Sequence, residues 1–272
     1  MKTALIDADI ITYLAAYYSM QKFDDGEVWV DIEAAKEEVK RVTDEWVADA
    51  GCDAPLMVLS PPDRTNYRKI IWPEYKTHRK ASAKPPHLSA VAEYVAEAYD
   101  ATYIPYLEGD DVIGILHTRD PDNTVIVSTD KDMATVPGYH YNPNRNYGMG
   151  PVEISAAEAK RWLFTQTLTG DTTDGYKGAY RVGPKSAEKI LRPHYSCVLS
   201  HADEPVYHFD EECAFRDAVA AYIAAGDTVE DFVRNYSMAQ ILTNDLYDEK
   251  TRTVYLPTAE YGKTEQLRLL DN

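Results

Sequence analysis

Thr3-Ala-Leu-Ile-Asp-Ala-Asp9 opens the chain with a short apolar run that ends in two carboxylates. Apolar runs at residues 4–6, 56–59, 102–104 and 125–127 predict buried strands of a parallel sheet. The stretches between them predict helices at residues 10–18, 32–50, 89–99 and 111–117. Because strands and helices alternate, we predict an α/β fold with a mostly parallel central sheet flanked by helices.

Acidic residues recur where these elements are predicted to end. Asp7 ends the first strand and Asp130 closely follows the strand at 125–127, at the sheet edge where ligands of such folds bind. Gathered carboxylates repel one another unless cations neutralise them, and Mg²⁺ or Mn²⁺ suits such ligands. The pattern predicts a two-metal phosphodiester-cleaving site. Its clusters are Asp7 and Asp9; Glu108, Asp110 and Asp111; Asp130 and Asp132; Asp171 and Asp174; and, more loosely, Asp63.

Composition places the chain among globular proteins that act without a membrane. It has 272 residues, 44% of them hydrophobic and 27% charged. We find no apolar run long enough to span a membrane and no signal-peptide pattern at the start. The three scattered cysteines predict a reduced, cytoplasmic setting without a disulfide frame.

A net charge of −17 is unfavourable for binding nucleic acid, but the basic residues are unevenly distributed. Residues 60–90 carry seven basic side chains and residues 175–193 carry five. Phosphate contacts act over short distances at physiological salt, so local patches matter more than the total charge. The alternative is that both stretches are simply solvated surface.

The second part of the sequence changes character. Residues 142–151 are rich in Asn, Gly and Pro and predict a loop, and residues of about 155–245 predict mainly helices. Ser155-Ala-Ala-Glu158 has the capping-box pattern that begins a helix, and Ser89 is a candidate N-cap. Residues 253–256 predict a strand or an extended tail.

Several motifs, in a fixed order, resemble the 5′-nuclease superfamily. They are Leu5-Ile-Asp-Ala-Asp9, Tyr67-Arg68 with Pro73-Glu-Tyr-Lys-Thr-His-Arg79, Glu108-Gly-Asp-Asp-Val112, Ser128-Thr-Asp-Lys-Asp-Met133 and Gly170-Asp-Thr-Thr-Asp-Gly175. Residues 178–190 resemble the family's helix–three-turn–helix element. The resemblance covers roughly residues 1–192, and the short connection after Lys76 is most similar to the bacteriophage 5′→3′ exonucleases.

The resemblance implies a PIN-like fold and metal-dependent cleavage of DNA. The catalytic domain would occupy residues 1–154 with a short arch at about 61–88. A helical region would occupy 155–272, with the DNA-binding element at about 170–192 and a helical extension from about Tyr195. The implied substrates are DNA with 5′ ends or flaps at duplex–single-strand junctions, with RNA–DNA hybrids as a further substrate. The sequence does not identify a protein partner.

The resemblance also assigns the carboxylates. Asp7, Glu108, Asp110 and Asp111 would hold the first metal ion, and Asp130, Asp132, Asp171 and Asp174 would contribute to a second. Asp9 would be an auxiliary ligand, or alternatively the N-cap of the following helix. The family places an aspartate where this chain has Ser60. Either Asp63 replaces it or the first site is one ligand short and uses water.

Basic and aromatic residues receive separate roles from the same resemblance. Arg68, Lys76 and Arg79 would approach the scissile phosphate. Tyr75 would stack on a nucleobase, or alternatively pack in the core. The arch would carry Lys80 and Lys84. At the start of a helix, the duplex backbone would be contacted by Lys177, Arg181, Gly183, Lys185, Ser186 and Lys189. A K⁺ ion held by backbone carbonyls is a further expected ion at this element.

Two other functions remain open at this level. Leu5-Ile-Asp-Ala-Asp9 also resembles the nucleophile strand of haloacid-dehalogenase-like phosphatases, with Asp7 as nucleophile and Asp9 as acid and base. That reading leaves the basic stretches unexplained. The other alternative is a DNA-binding protein of the same fold that no longer cleaves, which the serine at position 60 favours.

Overall fold

The computed structural model describes residues 1–22, 28–78, 84–200 and 205–269. The chain divides into two compact units, each formed from separate segments. The first comprises Met1–Asn66, Ala81–Met133 and Gly138–Glu153, and the second comprises Tyr67–Lys80, Ala134–Pro137 and Ile154–Asn272. The boundaries of the two predicted functional domains, 1–154 and 155–272, remain predictions. Residues 67–80 of the predicted arch belong to the second compact unit.

Helices and strands alternate along much of the chain. The α-helices are α1 (Ala8–Tyr18), α2 (Ile32–Asp49), α3 (Tyr67–Ile71), α4 (Leu88–Ala98), α5 (Gly109–Arg119), α6 (Ala156–Thr169), α7 (Pro184–Leu191), α8 (Glu211–Ala225) and α9 (Val229–Ala239). The strands are β1 (Thr3–Asp7), β2 (Met20–Lys22), β3 (Val28–Val30), β4 (Ala54–Val58), β5 (Thr124–Val127), β6 (Gly138–Tyr141), β7 (Val152–Ile154), β8 (Gly170–Asp171), β9 (Tyr176–Lys177), β10 (Tyr195–Leu199), β11 (Pro205–Phe209), β12 (Tyr247–Asp248), β13 (Thr253–Pro257) and β14 (Thr264–Arg268). Short 3₁₀ helices occupy Lys131–Thr135 and Arg192–His194.

The first unit is built on the predicted sheet. Its strand order is β4-β1-β5-β6-β7, and β1 pairs in parallel with both β4 and β5. Leu5 lies opposite Leu56 on one side and Ile126 on the other, so β1 is central and its apolar run is buried on both faces. Because the strands run parallel, Asp7 and the residues after Val127 reach the same edge of the sheet.

Two local predictions in this unit were wrong. Residues 102–104 do not form a strand; Thr102 makes a single parallel bridge to Val58 and the chain then turns. Helix α4 begins at Leu88 with His87 as its N-cap, so Ser89 lies inside the helix. His87 has a φ of 58° and gives no side-chain cap bond.

The second unit is mainly helical at its centre. Phe164 of α6, Phe215 of α8 and Phe232 of α9 are buried in one apolar cluster. The capping box is confirmed, since Ser155 Oγ accepts from the Glu158 backbone N–H at 3.2 Å and a Glu158 carboxylate oxygen accepts from the Ser155 N–H at 2.9 Å. Neither unit contains, in its described residues, a helix long and apolar enough to cross a membrane.

The prediction of a helical extension from about Tyr195 was wrong in part. Residues Tyr195–Leu199 and Pro205–Phe209 form an antiparallel hairpin with Tyr195 opposite Phe209. The predicted strand near residue 253 is confirmed as β13, the middle of a three-stranded antiparallel sheet. Aromatic and β-branched residues at cross-strand positions favour the hairpin. The sequence analysis did not predict it because the neighbouring segments have helical patterns.

Two glycines allow the connection between α6 and α7 to fold tightly. Gly170 ends α6 with a φ of 73°, and a Cβ there would lie 2.2 Å from the Gly178 nitrogen. A Cβ on Gly178 would lie 2.1 Å from the Leu168 carbonyl oxygen. The backbones therefore touch at this crossing, and neither position has room for a side chain.

We expect Gly178→Ala to lower the free energy of unfolding by about 3 kcal/mol, because backbone rather than a flexible side chain must move. Gly183→Ala is the matched control, since nothing lies within 4 Å of its Cβ position. Urea unfolding of both variants measures the difference. Equal stabilities would show that the crossing is not tight.

Candidate active site

Asp7 is both the last residue of β1 and the N-cap of α1. Its Oδ1 accepts from the Ile10 backbone N–H at 3.4 Å, and its Oδ2 accepts from the Ser128 hydroxyl at 3.1 Å. The residue is only 5% exposed. The strand end and the helix start therefore fix this carboxylate in place.

The environment of Asp7 opposes its ionisation. Burial raises its pKa to about 7, and the neighbouring charges of Asp9 and Asp130 act in the same direction. The hydrogen bonds from Ser128 and Ile10 lower it but do not compensate. Three acidic residues thus share one electrostatic environment, as the sequence predicted from their position at the sheet edge.

Asp9 has a structural partner in the loop after β4. Its Oδ2 accepts from the Ser60 backbone N–H at 3.0 Å. Because Asp7 is the N-cap, the alternative that Asp9 caps the helix is wrong. Ser60 in turn accepts through Oγ from the Gly109 backbone N–H at 3.1 Å, so the serine ties this loop to the start of α5.

The first turn of α5 carries the next acidic cluster. Asp111 is fully buried and accepts from the Glu108 backbone N–H at 3.2 Å. Glu108 and Asp110 are partly exposed. Negative charges are stabilised at a helix N-terminus, which explains how this turn tolerates three carboxylates.

Ser128 also organises the carboxylates that follow β5. Its Oγ accepts from the Asp130 backbone N–H at 3.0 Å, while Asp130 Oδ1 accepts from the Asp132 N–H at 2.8 Å. Asp130 is exposed, and Asp132 lies 3.2 Å from the Lys131 ammonium. Ser128 was missed as a site residue, although its position directly after a buried strand was a usable signal.

Asp63 does not behave as a replacement ligand. It is exposed, and its Oδ1 accepts from both the Thr65 N–H at 3.0 Å and the Thr65 hydroxyl at 2.8 Å. These bonds close a local turn and lower the pKa of Asp63. The expectation that Asp63 folds back toward the cluster therefore finds no support.

The donor set of the first unit fits a hard divalent cation in chemical type. Every candidate ligand is a carboxylate oxygen, and Asp7 carries the electrostatic cost that a cation would remove. As the side chains stand within the described ranges, no three His, Cys, Asp or Glu groups are close enough to hold an ion.

In the second unit, Asp171 and Asp174 form one turn. Asp171 is buried, and its Oδ1 accepts from the backbone N–H groups of Thr173 at 2.6 Å and Asp174 at 3.2 Å. Asp174 Oδ2 accepts from the Tyr75 hydroxyl at 2.8 Å, and its Oδ1 lies 3.6 Å from Lys76 Nζ. This turn therefore holds both predicted carboxylates beside a predicted catalytic lysine.

Two predicted substrate contacts are wrong as the structure places them. Arg68 is 3% exposed and donates to the Met238 carbonyl at 3.2 Å and the Gln240 carbonyl at 2.7 Å, so it ties α3 to the end of α9. Tyr75 is 1% exposed within the apolar cluster, so core packing rather than base stacking describes it. Arg79 and Lys80 lie outside the described residues.

The predicted backbone grip is exposed around the start of α7. Gly183 is the N-cap, and its carbonyl accepts from the N–H groups of Ser186 and Ala187. Arg181 adopts a φ of 60° with its guanidinium 5.0 Å from the Tyr180 ring centre. The exposed members of this surface are Lys177, Arg181, Gly183, Lys185, Ser186 and Lys189; Lys84, in the first unit, is exposed as well.

Comparison with known proteins defines the class: a 5′-nuclease of the PIN-like fold, which is a hydrolase that acts on DNA. A family profile described as "5'-3' exonuclease, N-terminal resolvase-like domain" matches residues 2–143, more than half of the chain. The chain therefore belongs to the 5′-3′ exonuclease family.

Individual relatives agree with this assignment. The chain is 30% identical to the exonuclease of Escherichia phage T7 over 234 residues, which are 76% of this chain and 75% of that protein. It is 31% identical to the exodeoxyribonuclease of Enterobacteria phage T3, over 75% of this chain and 74% of the relative. A bacteriophage T5 protein co-crystallised with metal ions shares the fold, with a TM-score of 0.58, 13% identity and coverage of 89% of this chain and 90% of that one.

We expect the metal-free protein to lose stability as pH rises from about 4 to about 7, and Asp7→Asn to remove part of that loss. The pKa of Asp7 is raised from 3.8 to about 7 on folding, so below both values the acid is neutral and costs nothing. Above a pH of about 7 the folded state carries a buried charge, which lowers the free energy of unfolding by up to roughly 4 kcal/mol. Urea unfolding in EDTA across this range measures it.

The exposed Asp122 supplies the control, because Asp122→Asn should keep the wild-type pH slope. An Asp7→Asn variant whose stability follows the wild-type curve at every pH would contradict the assigned environment of Asp7.

Proposed function

We propose that this 5′-nuclease hydrolyses phosphodiester bonds of DNA with Mg²⁺ as its cofactor, for which Mn²⁺ can substitute, acting at 5′ ends and flaps. The observation that carries the proposal is the buried Asp7 at the end of β1, whose ionisation is opposed by burial and by Asp9 and Asp130. Such a cluster is stable in its ionised form only with a cation nearby. The solved T5 relatives were crystallised with metal ions, one of them, a flap endonuclease, also with DNA.

The carboxylates of the first unit would hold one ion. The proposed ligands of this ion are Asp7, Glu108, Asp110 and Asp111. By resemblance to the family, Asp130, Asp132, Asp171 and Asp174 would contribute to a second ion. When bound, such ions lower the pKa of water and neutralise charge on the scissile phosphate. The Ser128 hydroxyl orients the Asp7 carboxylate and accepts from the Asp130 backbone N–H.

Ser60 defines how the first ligand set differs from the family pattern. Its hydroxyl accepts from the start of α5 and its N–H donates to Asp9, so the serine keeps the loop in place without supplying a carboxylate. We propose that water takes the position of the absent oxygen. This account needs no contribution from Asp63.

Lys76 and the exposed basic residues would handle the phosphates. Of the predicted catalytic cations within the described residues, Arg68 is buried against backbone carbonyls, whereas the Lys76 ammonium lies beside Asp174. The start of α7 presents backbone N–H groups and lysines that suit a phosphate without reading base edges. The grip on duplex DNA would therefore be independent of sequence.

The phosphatase alternative loses its main support. The family assignment accounts for Leu5-Ile-Asp-Ala-Asp9 within a nuclease, and Asp9 is bonded to the Ser60 N–H. The family assignment also disfavours a DNA-binding protein that no longer cleaves, and direct cleavage assays test this. RNA at the 5′ end of the labelled strand tests hybrid substrates in the same assay.

We expect Asp130→Ala and Asp174→Asn each to lower turnover by about 100-fold or more while leaving the protein folded, because each removes a proposed metal ligand. The assay follows release of short products from 5′-labelled duplex and flap DNA, in Mg²⁺ and in EDTA. Asp63→Asn should cleave like the wild type, since Asp63 bonds only its own turn in the structure's described contacts.

Full activity in Asp130→Ala or Asp174→Asn would overturn the ligand assignment. DNA that stays intact with the wild-type protein in both Mg²⁺ and Mn²⁺ would favour a binding protein.

We expect Lys185→Ala to reduce the slope of log affinity against log salt for duplex DNA by about 1, because one phosphate contact is lost. Fluorescence anisotropy in EDTA, which prevents cleavage, measures binding across a salt series. Lys250→Ala is the control, an exposed lysine far outside the basic stretch in sequence, and should keep the wild-type slope. Equal slopes for all three proteins would remove α7 from the DNA interface.

A further inference from the structure

Tyr75 and Lys76 both contact Asp174, at three points in all. The Tyr75 hydroxyl donates to Asp174 Oδ2 at 2.8 Å, and Lys76 Nζ lies 3.6 Å from Oδ1. The Lys76 backbone N–H also donates to the Asp174 carbonyl at 3.0 Å. The side chains of two adjacent residues thus lie beside the two oxygens of one carboxylate.

An unusual backbone conformation makes this arrangement available. Lys76 has a φ of 59°, a left-handed conformation that a residue with a side chain adopts only where its surroundings enforce it. The neighbouring turn is equally close to Asp174: Gly175 has a φ of 90°, and a Cβ there would lie 2.4 Å from Nδ1 of His78. Residues 75–78 therefore fit tightly against the turn that carries Asp174.

The two side chains contact Asp174 differently. The Tyr75 ring is 1% exposed and packs in the cluster with Leu163 and Tyr176, which fixes the position of its hydroxyl oxygen. Lys76 Nζ lies 3.6 Å from Oδ1, which is beyond hydrogen-bond length, and 4.8 Å from the centre of the Tyr75 ring. Tyr75 therefore fixes the carboxylate, whereas Lys76 supplies a nearby positive charge.

We propose that Tyr75 is a positioning residue for Asp174: its buried hydroxyl holds Oδ2 so that Oδ1 is presented to a divalent cation. The inference rests on the proposed function, in which Asp174 contributes to the second metal ion. It gives Tyr75 a role in the nuclease reaction that does not involve stacking on a base. Outer partners of metal-binding carboxylates typically affect both metal affinity and activity.

The test uses Tyr75→Phe, which keeps the buried ring and deletes only the hydroxyl. Titration with Mn²⁺ in the absence of DNA reports metal affinity, and cleavage of 5′-flap DNA in Mg²⁺ reports kcat and KM. We expect one Mn²⁺ binding step to weaken about tenfold and kcat to fall about tenfold, with KM for DNA unchanged.

Tyr222→Phe is the matched control. The Tyr222 hydroxyl is equally buried in the second unit, but it donates to the Thr167 carbonyl at 2.5 Å and accepts from the Asn235 amide at 2.8 Å. Its loss should lower the melting temperature without changing Mn²⁺ affinity or kcat. A purely structural role for Tyr75 would produce the same pattern in Tyr75→Phe.

Two results overturn the inference alone. One is a Tyr75→Phe protein that binds Mn²⁺ and cleaves like the wild type. The other is the signature of base stacking, in which Tyr75→Phe is unaffected while Tyr75→Ala raises KM for DNA. Absence of both Mn²⁺ binding and cleavage in the wild type would instead overturn the proposed function, and this inference with it.

Discussion

Burial of the Asp7 carboxylate at the end of β1, beside the charges of Asp9 and Asp130, is the constraint on which the site of the first unit depends. Parallel pairing of β1 with β4 and β5 brings the strand ends to one edge, and Asp7 is buried there beneath Asp9 and Asp130. The protein holds this arrangement with neutral donors, the Ser128 hydroxyl and the Ile10 N–H, which orient Asp7 but leave its pKa raised. Ionised Asp7 would therefore be stabilised by a nearby positive charge, the role proposed for a divalent cation.

In the second unit, the carboxylates of Asp171 and Asp174 are stabilised by different partners. Asp171 is satisfied by backbone N–H groups of its own turn, and Asp174 has a tyrosine hydroxyl and a lysine beside it. Contacts between Gly170 and Gly178 fix the connection that leads from this turn to the exposed start of α7. The turn with Asp171 and Asp174 and the start of α7, which is proposed to contact phosphates, therefore lie on one short, tightly folded segment. A shift of the backbone there would disturb both.

The sequence predicted what depends on local pattern and missed what depends on tertiary contact. Apolar runs and ordered acidic motifs were enough for the parallel sheet, the α6 capping box and the family. Nothing in the sequence showed that the Arg68 guanidinium meets the carbonyls at the end of α9, because those partners are about 170 residues away. For the same reason, the sequence left open whether Tyr75 stacks on a base or packs in the core. The β10–β11 hairpin, where a helical extension was predicted, depends on pairing between its own two strands.

Anomalous diffraction from crystals grown with Mn²⁺ tests the central claim most directly, because it locates ions independently of activity. The account predicts a strong peak within coordination distance, about 2.2 Å, of an Asp7 carboxylate oxygen. It also predicts that Ser60 contributes no ligand to that ion, so that water completes its coordination. Crystals soaked in Mn²⁺ that show no peak beside Asp7 would contradict the account, since the repulsion at the end of β1 would then be tolerated without a cation.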